Sequence, residues 1–112
     1  MRIINFLATD GINLTGILYN INNKNDKVIL AIHGMSSNCF KERDKIFSEN
    51  FLKEGIDYFC FNNRGSELVK YIRKNIDGKK EKILAGTSYE DPLDGYEDIV
   101  GAILKLKELG YE

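Results

Sequence analysis

Between Lys27 and Asn38 the sequence reads KVILAIHGMSSN, an apolar run without alternation that stops at His33-Gly34 and opens into small polar residues. A run of this kind predicts a strand, Val28 to His33, buried on both faces of a parallel or mixed sheet. The loop after such a strand lies where open α/β sheets place their ligands. Backbone N–H groups following His33-Gly34 are expected to point into that crevice, with Gly34 letting the chain turn.

The flanking segments fit the same plan. Arg2 to Ala8 and Ile12 to Tyr19 are β-rich runs separated by Thr9-Asp10-Gly11, and Asp-Gly between two such runs is a strong hairpin signal. Asn20 to Asp26 reads as an Asn-rich turn. Phe40, Phe47 and Phe51 recur at helical spacing, widened by Ile46 and Leu52, with Gly55 just past the end, which predicts a helix on the sheet. Ile56 to Phe61 (IDYFCF) is a second buried strand ending in Asn62-Asn63-Arg64-Gly65-Ser66. Strand, helix, strand makes a βαβ crossover with both polar loops at one edge of the sheet. Glu67 to Ile76 reads as a short helix, Asp77 to Lys82 as a charged loop, and Ile83 to Tyr89 has no clear class. From Pro92 to Leu109 a last helix is predicted, N-capped by Asp91. Tyr96, Ile99, Val100 and Ile103 form its apolar face, and Glu97, Gly101, Lys105 and Glu108 its polar one.

Composition narrows the function classes. With 16 Lys+Arg against 17 Asp+Glu the net charge is -1, which gives no electrostatic reason to expect nucleic acid or an anionic membrane as partner. No apolar stretch approaches the roughly 18 residues of a membrane span, and the first residues turn polar too soon for a signal peptide. Cys39 and Cys60 lie far apart without a CxxC and are expected to be free thiols of a cytoplasmic protein. At 112 residues the chain is at most one domain and short for a complete α/β enzyme.

The pattern resembles the α/β-hydrolase superfamily, closest to its esterase and serine-peptidase-like branch. The residues that carry the resemblance are the hairpin, VILAIHGMSSN, the NNRGS loop and the helix DPLDGYEDIVGAILKLKELGYE. It implies an α/β fold with a mixed, mostly parallel partial hydrolase sheet: the hairpin, the βαβ crossover, then the amphipathic helix. It covers only the amino-terminal half of the family's fold, so residues 1–112 are expected to be a single incomplete domain, cut off before the nucleophile elbow. It places an oxyanion-hole N–H on Met35, supported by His33 and Gly34. Asn62 and Ser66 depart from the family's Asp-x-Arg-Gly-x-Gly-like turn. The elbow, the acid and the base are expected on later residues, with an ester, thioester or amide as small-molecule acyl substrate.

Several residues invite chemistry of their own. Gly86-Thr87-Ser88-Tyr89-Glu90 is a near miss to the elbow, but Glu90 replaces the second glycine with bulk and negative charge, and turn chemistry before Asp91 accounts for Ser88 more simply. His33, the single histidine, reads as a hydrogen-bonded brace rather than a base. Cys39 near His33 lacks an orienting third group. No metal-ligand cluster or cofactor motif is present; HGMSSN is neither G-x-x-x-x-G-K-[ST] nor G-x-G-x-x-G, which argues against the alternative of a nucleotide-binding module. A further alternative is a non-catalytic remnant or partner-binding half-domain. The resemblance also leaves Val28 to His33 as a bare sheet edge with no proline, charge or bulge along VILAI, which predicts edge-strand self-association with a second copy, recruitment of the missing half as a separate chain, or aggregation.

Overall fold

The segment around which everything packs is Asp57–Asn62, DYFCFN, buried in all but its last residue. In chain order the elements are β1 (Arg2–Leu7), β2 (Asn13–Tyr19), β3 (Val28–Ile32), α1 (Glu42–Lys53), β4 (Asp57–Asn62), β5 (Lys70–Ile76), β6 (Lys79–Ala85), a 3₁₀ turn (Pro92–Asp94) and α2 (Gly95–Glu108). The structure is a computed structural model and describes residues 1–21, 25–34, 37–67, 70–86, 88 and 91–111.

Four strands form one sheet in the order β1-β2-β4-β3, and β5 with β6 makes a separate two-stranded sheet. The Asp10-Gly11 turn joins β1 to β2 with Gly11 at φ 93°, the left-handed conformation that makes Gly-containing hairpin turns cheap. Strands β3 and β4 run parallel, joined through α1, whereas β1/β2, β2/β4 and β5/β6 are all antiparallel. The expected mostly parallel partial hydrolase sheet is therefore corrected: the architecture is mostly antiparallel, with one parallel pair inside a mixed sheet.

Because side chains alternate along a strand, β4 builds two cores. Phe59 and Phe61 face α2 and join Ile4, Phe6, Leu14, Leu18, Ala102 and Leu106, with the Phe6 and Phe61 rings edge to face at 5.5 Å. Tyr58 and Cys60 face α1 and join Ile17 and Cys39. The segment after α2 is tied back by Tyr111, whose hydroxyl donates to the fully buried Asp57 carboxylate at 2.5 Å.

Further expectations are revised. The β3 strand is not buried on both faces; its first four residues are half-buried and Ile32 is 49% exposed, because β3 lies at the sheet edge. Lys70–Ile76 is a strand rather than a helix, and the charged loop holds an Asp77-Gly78 turn, with φ 48° and 79°, that returns the chain into β6. Two consecutive positive φ values are what a tight two-residue hairpin requires. Finally, both helices are rotated from the faces their apolar residues predict. In α1 the buried residues are Asp44 and Ser48 while Phe47 and Ile46 are exposed, and Phe40, expected on the same helix, lies exposed before its start; in α2 they are Asp98, Gly101, Ala102 and Leu106 while Tyr96 and Ile103 are exposed. Asp91 caps the 3₁₀ turn, through Leu93 N–H, instead of α2 itself.

Gly101 shows why α2 sits as it does. A Cβ there would lie 2.4 Å from Leu7 O and 2.8 Å from Ala8 Cα, so the helix backbone rests directly on the end of β1. Gly101→Ala must push α2 off the sheet and is expected to cost about 1–3 kcal/mol despite the better helix propensity of alanine. Gly95→Ala, which meets nothing within 4 Å, is the control and should change stability by under about 1 kcal/mol in urea denaturation. Equal stability of the two variants would contradict this packing.

Candidate functional site

The parallel pairing of β3 and β4 brings the segments after their carboxyl ends side by side, and hydrogen bonds zip them together. His33 Nε2 accepts the Asn63 N–H at 3.1 Å, while the other ring nitrogen, Nδ1, lies 2.8 Å from Gly34 O. Asn62 Oδ1 accepts the Cys39 N–H at 2.8 Å, and Ser37 O accepts the Glu67 N–H at 3.4 Å. One bond pattern satisfies both ring nitrogens of His33: the neutral imidazole with its proton on Nδ1, assigned from its partners.

The residues singled out by sequence are only partly gathered. His33 and Gly34 sit in the zipped loop. Gly34 has no left-handed φ and open space where a Cβ would project, so the turn does not depend on glycine's conformational freedom. Met35 lies outside the described residues. Ser88 is exposed in the short segment following β6. Because both His33 ring nitrogens are taken by backbone groups, His33 is not set up as a base for Ser88 or as an imidazole partner for Cys39. Cys39 and Cys60 are both free and buried, with Cys60 Sγ donating to Cys39 O at 3.4 Å. The interaction with Cys39, together with burial, pushes the Cys60 thiol up, away from nucleophilic character. Among the described residues no group of three or more His, Cys, Asp or Glu side chains is placed to hold a metal ion, and no helix is long and apolar enough to cross a membrane.

What sequence reasoning missed is the ionic centre beneath the second loop. Arg64, in NNRGS, has a side chain only 8% exposed. Its Nε and Nη2 donate to Asp98 Oδ1 at 2.8 and 2.7 Å, and its backbone N–H donates to Asp98 Oδ2 at 2.8 Å. Nη1 and Nη2 also grip both oxygens of Asp10 at 2.8 and 2.9 Å, and Asp94 Oδ2 stands 3.8 Å from Nη1. The guanidinium holds the Asp10 carboxyl below its usual value by hydrogen bonding, against the opposing effect of burial. Arg64 O accepts the Gly86 N–H at 2.8 Å, which ties the end of β6 to the same residue. Asp98, next in sequence to Glu97 of the expected polar face, is completely buried. The one available signal was its position four residues before Ala102 and eight before Leu106, on the face that packs. A cavity of about 330 Å³ opens beside this centre, lined by Asp10, Arg64, Lys74 and Asp94 among others. Its walls carry both signs of charge, and the guanidinium is already bound to carboxylates, which disfavours an anion there.

Comparison of the chain with family models, with curated proteins and with solved structures finds no match in any of the three.

The loop geometry fixes the state of His33. Long-range ¹⁵N–¹H correlation of the imidazole at neutral pH should show the proton on Nδ1 and a bare Nε2, and His33→Ala should cost about 1–3 kcal/mol by leaving the Asn63 N–H without its acceptor. An Nε2–H tautomer would mean that the two loops are not joined through this ring.

Proposed function

We propose that this chain is the oxyanion-loop portion of an α/β-hydrolase-like serine hydrolase acting on a small-molecule ester, thioester or amide. The backbone N–H of Met35 serves as oxyanion donor, and His33 and Gly34 hold the loop. The observation that supports the reading best is the pair of loops hydrogen-bonded together at the carboxyl ends of the parallel strands β3 and β4, beside an open strand edge. Open sheets bind ligands at that position. The reading rests on this loop pair and on the resemblance of HGMSSN and NNRGS, not on a parallel sheet. Nucleophile and base are supplied by a further segment placed against the open flank of β3. The two buried free thiols favour a reducing, cytoplasmic setting.

A preorganised oxyanion donor has an affinity for tetrahedral anions of its own. Titrating the isotopically labelled chain with methylphosphonate should shift the amides of residues 34–37 and 63–66 selectively and saturably, and selective shifts elsewhere, or none, would overturn the assignment. In the same reading the chain by itself does not turn over p-nitrophenyl acetate above background, since an oxyanion loop without nucleophile and base supplies only part of the rate enhancement. Turnover abolished by Ser88→Ala would instead make Ser88 the nucleophile.

A further inference from the structure

Strand β3 is the outer strand of its sheet, and its free edge runs between two grooves. On the α1 side a cavity of about 300 Å³ is lined by Ile29, Ala31, Ile32, Phe47, Phe51 and Tyr58 together with Arg43 and Asp44. On the α2 side one of about 190 Å³ is lined by Val28, Leu30, Ile103, Leu106, Lys107 and Tyr111. Apolar residues at the mouths of these grooves are open to solvent, Phe47 at 46% and Ile103 at 41%. The α1-side groove also holds an incomplete charge. Asp44 is 2% exposed; its Oδ1 accepts the Tyr58 hydroxyl at 2.7 Å, while its buried Oδ2 accepts no hydrogen bond among the described residues. Arg43 Nη2 approaches that oxygen only to 3.7 Å, from a side chain that is 53% exposed. A buried carboxylate oxygen left this way costs free energy that an incoming cation recovers.

We propose that the edge is closed by a second copy of this chain, β3 pairing antiparallel with β3 about a two-fold axis midway between the Ile29 residues of the two copies. The strand's own sequence fits this occupant. Lys27 O accepts the Asp57 N–H, so the backbone groups of residues 27, 29 and 31 turn toward β4 and those of Val28, Leu30 and Ile32 turn outward, available to a neighbouring strand. A two-fold axis perpendicular to the sheet keeps each face on its own side. Centred on Ile29, it pairs Val28 with Leu30 through their outward groups and sets Lys27 of one copy opposite Ala31 of the other, on the face of the α1-side groove. Ala31 is small enough to leave the lysine stem room to extend over it toward the unsatisfied Asp44 oxygen, and the contact is made twice by symmetry. The grooves of the two copies become continuous on each face, covering the exposed aromatic and aliphatic mouths. Self-pairing occupies the flank that the acyl-transfer reading assigns to a nucleophile-bearing segment, so the dimer is a closed form of the chain. The inference stands without that reading, because it uses only the edge, the grooves and Lys27.

Sedimentation equilibrium of the purified 112-residue chain, from low to high micromolar concentration, combined with amide hydrogen exchange, tests it. A monomer–dimer equilibrium is expected, with the amides of Val28, Leu30 and Ile32 protected only in the dimer. Lys27→Glu should raise the dissociation constant at least about tenfold by setting a carboxylate against Asp44, while Lys27→Arg associates like the parent chain. Lys27 is exposed, so both variants should keep the circular dichroism of the parent. If Lys27→Glu nevertheless fails to fold, Ile32→Asp places a carboxylate opposite Asp26 at the other end of the same register and should weaken association likewise. A monomer at every concentration overturns the proposal. So does a dimer whose β3 amides exchange as in the monomer, or one that Lys27→Glu and Ile32→Asp leave unchanged.

Discussion

The fold depends on one buried cation. Arg64 lies at the end of β4, where the chain leaves the sheet, and its side chain and backbone reach three other parts of the molecule: α2 through Asp98, the β1–β2 turn through Asp10, and the end of β6 through Gly86. A guanidinium suits this role because its planar fork can make two-point contacts with two carboxylates at once, which a lysine amine cannot. Burial makes the arrangement all-or-none. Asp98, with no exposed surface, is tolerable only while Arg64 neutralises it, and the loop that carries Arg64 is fixed because Asp98 also accepts its backbone N–H. The candidate site inherits its rigidity from that clamp, since Asn63, the residue bonded to His33, immediately precedes Arg64.

Much of the framework was legible in the sequence. Asp10-Gly11 between two β-rich runs marks the first hairpin, and the strand–helix–strand order gives β3, α1 and β4 with a parallel pairing. The register of apolar residues along IDYFCF marks the strand that becomes the centre. The second hairpin was missed although Asp77-Gly78 is the same turn signal as Asp10-Gly11, because Lys70–Ile76 and Lys79–Ala85 carry so much charge that their alternation is faint. That hairpin, and the antiparallel pairing of β2 with β4, make the architecture mostly antiparallel.

Helix orientation was the other illegible feature, and the reason is the same buried charge. Counting apolar side chains on α2 selects the face of Tyr96 and Ile103, but the helix turns Asp98, Gly101 and Ala102 inward. Asp98 must meet Arg64, and Gly101 permits backbone contact with Leu7, so ionic pairing and close approach outweigh apolar area. In α1 the same substitution occurs, with Asp44 inward beneath Tyr58 and Phe47 left beside the open edge of β3. Of the apolar residues turned outward in this way, Phe47 and Ile103 line the two grooves that flank β3. The molecule thus has a well-braced interior around β4, with β3 at the edge of the sheet.

The most direct test of the account is a double-mutant cycle on the clamp, with Arg64→Met, Asp98→Leu and the double variant compared by urea denaturation. Each single substitution leaves a buried charge alone and is predicted to cost about 3–5 kcal/mol, while the double variant recovers much of that loss, giving a coupling of more than about 2 kcal/mol. Single variants that each cost under about 1 kcal/mol and simply add would contradict the account, and the loop after β4 would then be held by something other than Arg64.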